Sequence, residues 1–126
     1  MGLPTSFVNK NAAASTTSTG AVVTVFTHSS ALKNPDGSAG NGGVLDRLVV
    51  YNSDTIQHTV QLYRVPIGSS AGSTNLIESM LLPTLTPYIY EGPLYSGSGD
   101  FYAFRLSEPA SSSYGVVVQA HYHEMS

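Results

Sequence analysis

His121 and His123 are the residues whose spacing most directly suggests chemistry in this chain of 126 residues. Residues i and i+2 of a strand project to one face, where two imidazoles can meet one metal ion. A catalytic zinc site takes three protein ligands, and nothing in the sequence places His28 or His58, the remaining histidines, beside the pair. His121 and His123 are therefore expected at a solvent or subunit surface, with no metal and no cofactor. Gly68-Ser69-Ser70-Ala71-Gly72 matches the nucleophile-elbow pattern G-x-S-x-G. That motif works where a strand turns sharply into a helix, whereas this stretch is a Ser/Gly-rich loop. Asn34, Asp36 and Ser38 alternate oxygen-bearing side chains beside Gly37, as a calcium loop does, but no acidic residue stands at the closing position such a loop requires. Asn-Pro-Asp-Gly is more simply a turn sequence. Asp54, Glu91, Asp100 and Glu108 fall at or beside turns and are expected in solvent. No catalytic residue is assigned, and the chain is expected not to be an enzyme.

Tyrosine is the remaining chemical resource, with eight copies and no Trp. Tyr51, Tyr63, Tyr88, Tyr90, Tyr95 and Tyr102 are open to three uses: sheet and core residues, anchors of a protein interface, or a stacking platform for sugars. The lack of Trp favours interface over sugar.

Five Lys and Arg stand against eight Asp and Glu, a formal charge of −3. That balance removes the basic patch that binding to nucleic acid requires. The absence of cysteine excludes disulfides, zinc-thiolate sites and thiol nucleophiles. No apolar run is long enough to span a bilayer, and the first residues lack the apolar core of a secretory signal. MGLPTS fits the loose myristoylation pattern, a match too short to carry a membrane assignment. Neither nucleic acid nor membrane is expected as a partner. Charged residues make up 10% of the chain, where a free-standing soluble domain usually carries about a quarter. That shortfall suits a subunit packed among others.

The elements that must position these residues are strands. Twelve Gly, seven Pro and twenty-nine Ser plus Thr disfavour helix, whereas Val, Tyr, Phe and Thr fit a pleated surface. Strands are expected over residues 21–27, 44–51, 57–65, 75–82, 88–95, 100–106 and 114–123, with 75–82 open to a short helix. Turn-rich connections separate them. Alternation puts Val60 and Leu62 on one face of their strand, with Thr59, Gln61 and Tyr63 opposite. It likewise puts Tyr114, Val116, Val118, Ala120 and Tyr122 inward, leaving Val117, Gln119, His121 and His123 outward. The fold class is all-β: a single antiparallel β-sandwich or jelly roll of seven or eight strands. Residues 1–20 end in the low-complexity run AAASTTSTG and are expected as a flexible N-terminal arm ordered by partners, with the sandwich over 21–126.

From about Val44 onward the chain reads LVVYNSDTIQHTVQLYRV, NLIESMLLPTLTPYIYEGPLY, SGSGDFYAFRLS and YGVVVQAHYHE. This cadence resembles the small all-β accessory proteins of tailed-bacteriophage virions. The resemblance implies a subunit of the phage particle, assembled in the host cytoplasm: a capsid decoration (cement) protein, or a neck or tail component. Its implied partners are the major capsid protein or other virion proteins, and further copies of itself in a homo-oligomer. The contacts would come from Leu3, Pro4, Phe7 and Val8 of the arm, Asn34 and Asp36 of the long loop, and Tyr88, Tyr90 and Tyr95.

Overall fold

The computed structural model describes residues 7–16, 22–28, 42–97, 99–106 and 115–125. Eight strands account for most of them: β1 (Phe7–Thr16), β2 (Val23–Thr27), β3 (Gly42–Asn52), β4 (His58–Val65), β5 (Leu76–Leu82), β6 (Pro87–Ser96), β7 (Phe101–Leu106) and β8 (Val116–Met125). They form two four-stranded sheets in the orders β1-β8-β3-β6 and β2-β7-β4-β5. Every pairing is antiparallel. The stretch 75–82, open to a short helix, is a strand, β5 over Leu76–Leu82, entered from a one-turn 3₁₀ element, Ser73–Asn75.

Alternation builds the core. Val60 and Leu62 of β4, Tyr102, Phe104 and Leu106 of β7, and Val116, Val118, Ala120 and Tyr122 of β8 all bury their side chains in one cluster with Leu48 and Val50 of β3. The inward set expected for β8 therefore holds for every member in the described residues. Tyr63 departs from expectation. It points away from this cluster yet is only 2% exposed. Its hydroxyl donates to Gln61 Oε1 at 2.9 Å, and the Arg105 guanidinium lies 5.9 Å from its ring centroid. Arg105 also donates to Gln61 Oε1 from Nε and Nη2, at 3.1 and 2.6 Å. A polar tripod thus roofs an aromatic ring on an outer face.

The segment expected as an arm contains a strand. Phe7–Thr16 pairs with β8 over ten residues, from Phe7 opposite Met125 to Thr16 opposite Val116. It stands at the edge of its sheet and takes its ladder bonds on one side, from β8. Ala12 and Ala14 turn inward against the core while Asn11, Ala13 and Ser15 face out. An edge strand needs only one partner strand and little apolar surface, which is why a run of Ala, Ser and Asn suffices. Leu3, Pro4, Asn34 and Asp36 lie outside the described residues.

β3 carries a bulge at Asp46, where its register shifts against both β6 and β8. Gly92 of β6 lies across from it, so close that a Cβ there would collide with the Leu45 carbonyl oxygen. The bulge thus dictates glycine at that position.

Candidate functional site

The register sets the geometry of both ends of the sandwich. Gly43 lies opposite Glu124 and Ser96 at one end, and Asn52 lies opposite Val116 at the other. His121 and His123 do share the outer face of β8, but each is held by a different neighbour. His121 Nδ1–H donates to Asn11 Oδ1 of β1 at 2.8 Å, and His123 Nδ1–H donates to Asp46 Oδ2 of the β3 bulge at 3.2 Å. Among the described residues no group of three or more His, Asp or Glu is placed to hold a metal ion. Gly68–Gly72 lies in the segment leading to the 3₁₀ turn and β5, where the Ser70 carbonyl accepts from Asn75 Nδ2 at 2.8 Å. It lacks the strand-to-helix turn of an elbow.

The tyrosines do not make one platform. Tyr88 and Tyr90 turn inward, half-buried against the core, whereas Tyr95 on the same strand is 67% exposed. Tyr102 is fully buried, its hydroxyl 2.5 Å from Ser96 Oγ, and burial raises its pKa. Phe7 and Val8 lie on β1 opposite Met125 and Glu124. Tyr95 borders an open groove of about 440 Å³ with Arg64, Pro66 and Asp100. Arg64 and Asp100 both make bonds within the protein. Arg64 Nη1 donates to the Tyr95 carbonyl at 3.1 Å, and Asp100 accepts from the backbone N–H groups of Ile67 and Gly97 at 2.9 and 2.8 Å.

Two buried polar clusters escape a reading of the sequence. The first closes the end where β3 passes into β4. Asp54, expected in solvent, is fully buried and accepts from His58 Nε2 at 2.8 Å, with neither side chain exposed. Asn52 Oδ1 accepts from the Asp54 N–H at 2.9 Å, while Asn52 Nδ2 reaches the carbonyls of Ile56, Leu82 and Pro83 at 2.8, 3.0 and 3.2 Å. Thr84 Oγ1 donates to the Asp54 carbonyl, and Ser53 Oγ donates to the Gly115 carbonyl at 2.7 Å. Burial of the Asp54 carboxylate is tolerable because His58 Nε2 and the Thr55 N–H, the latter at 2.6 Å, replace water. A carboxylate orienting an imidazole is also half of a nucleophile-activating relay. Here both groups are sealed, and Asn52, Ser53 and Thr84 beside them tie this turn to Leu82 of β5, to Gly115 before β8 and to the β5–β6 connection. The spacing NSDTIQH, with His four residues after Asp across a turn, was the available signal.

The second cluster lies at the opposite end. Glu124 of β8 is 1% exposed, with Oε1 2.8 Å from Lys10 Nζ of β1 and Oε2 3.6 Å from His28 Nδ1. The ion pair with Glu124 raises the Lys10 pKa. His28 stands edge-on to Phe26, Tyr122 and Tyr102, at centroid distances of 5.1, 5.6 and 6.0 Å. Phe26 stacks on Tyr122 at 3.8 Å and on Tyr102 at 5.0 Å. Burial lowers the His28 pKa against the opposing pull of Glu124.

The fold is an all-β sandwich of two antiparallel four-stranded sheets, with a buried polar cluster at each end. No family model matches the chain, and no curated protein matches it at a significant level. Among solved structures it is similar to a cyanophage Pam1 capsid asymmetric unit. The identity is 14% and the TM-score 0.46, with 100% of this chain and 89% of that chain covered.

Proposed function

We propose that this chain is a non-enzymatic structural protein of a bacteriophage virion, a capsid decoration (cement) protein that binds the major capsid protein at capsomer junctions and acts as a homo-oligomer. The observation that carries this reading is the strand order β1-β8-β3-β6 facing β2-β7-β4-β5, which we read as a jelly roll. Eight-stranded double sheets of that kind serve in viral shells and lectins. Fold alone does not assign function, so the second support is the use of the polar interior. Asp54, His58, Asn52 and Glu124 are spent on joining strands and loops. A low content of charge and the virion-like strand cadence from Val44 onward point the same way.

A decoration protein acts by linkage: whatever binds only the assembled shell shifts the equilibrium toward it. Adding the purified chain to undecorated shells is expected to raise their disruption temperature, with saturation at a high copy number per particle. Saturation at a few copies would move the protein to the neck or tail. Failure to bind any particle component would overturn the reading. Exposed Tyr95 beside the Arg64 groove favours a carbohydrate-binding module as the second reading, and a glycan array without hits removes it.

A further inference from the structure

Buried polar side chains are nearly always hydrogen-bonded, and an exception calls for a cause. His28 is 1% exposed, and neither Nδ1 nor Nε2 has a hydrogen-bond partner among the described residues. Its 3.6 Å separation from Glu124 Oε2 is too long for a hydrogen bond. The ring is instead held by shape. Three aromatic rings bound it, and Gly43 presses so close that a Cβ would sit 2.5 Å from His28 Cε1 and from the His123 carbonyl oxygen. Beyond His28 on the far side of Glu124 stands Lys10, the ion pair that binds β1 to this end of β8.

We propose that these groups form a pH-responsive clasp: neutral His28 keeps the aromatic stack closed while Glu124 holds β1 through Lys10, and proton uptake by His28 opens this end of the sandwich. Glu124 of β8 and Asp100 of the turn before β7 favour an imidazolium here, and His123 of β8 opposes it. Lys10 of β1 already engages Glu124, and β3 presents the backbone of Gly43. Tyr102 and Tyr122, which complete the wall, stay neutral because burial raises both. Burial outweighs the carboxylates, and the imidazole is held below its ordinary value.

The sign follows from linkage. Between the folded pKa and the free value of about 6.5, the unfolded chain carries the proton and the folded chain does not. Stability is therefore complete above about pH 6.5 and falls as pH drops toward the folded value, by about tenfold in the folding constant for each unit between the two. Relief comes from exposing the ring, which breaks the backbone bonds of His28 N–H to Asp100 O and of Gly99 N–H to His28 O, each 2.9 Å. The clasp stands whether or not the chain serves in a virion.

The test is an NMR titration of the four histidine rings in the full chain, with amide exchange and urea unfolding at about pH 7.5 and about pH 5. The His28 ring is expected to titrate below its free value, with amides 28 and 99 losing protection on acidification before those of β4. His28→Phe is expected to flatten the fall in stability, while His121→Ala retains it. A His28 midpoint at or above the free value, or an undiminished fall in His28→Phe, would overturn the proposal. Should His28→Phe not fold, the wild-type titration decides alone.

Discussion

Each end of the sandwich buries a histidine against a carboxylate, and the two ends treat the pair in opposite ways. At the β3–β4 end, His58 bonds Asp54 at 2.8 Å inside a web that also engages Asn52 and Thr84. At the other end, His28 stops 3.6 Å short of Glu124, which gives its close contact to Lys10. A buried polar group adds stability only once its bonding is met, whereas an orphaned one costs about 1–3 kcal/mol and becomes a place where conditions act. One end is therefore built to stay shut and the other to respond.

Breaking the closed end is expected to produce the largest effect. Asp54→Ala strands His58 and removes an acceptor serving the Thr55 N–H, and should cost about 3–5 kcal/mol by urea unfolding. A loss under about 1 kcal/mol would show that the web is ornamental to stability. Gly43→Ala attacks the other end by overpacking, since the new methyl meets the His28 ring and the His123 carbonyl. It should cost about 1–3 kcal/mol. His28→Phe sharpens the comparison at neutral pH: among the described residues no hydrogen bond is lost, so the change should cost less than His58→Phe, which breaks the bond to Asp54. His121→Ala removes only an outer-face bond to Asn11 and should shift stability by about 0.5 kcal/mol or less. Equal losses in His28→Phe and His58→Phe would erase the distinction between the ends.

What was legible beforehand tracks local pattern. Val60, Leu62, Val116, Val118 and Ala120 announce their face by alternation, so the seven central and C-terminal strands were readable. β1 was not, because Ala serves equally on either face and leaves no alternation to detect. Asp54 was misjudged because NSDT is turn chemistry, which ordinarily lies in water; only its junction with β5 and β6 seals it. The meeting of His28 with Glu124 and Lys10 requires β1 and β2 to flank the same end of β8. No sequence period encodes that.

The alanines of β1 have one more consequence. Ala12, Ala13 and Ala14 present nearly the same profile after a shift along β8, so backbone pairing alone leaves the strand free to slide like a ruler without markings. Lys10 on buried Glu124 and Asn11 on His121 supply the marks. Two adjacent polar side chains, one reaching inward and one outward, act as a detent for the whole edge. A sheet can thus carry a strand almost devoid of sequence information, provided that one notch fixes where it stops.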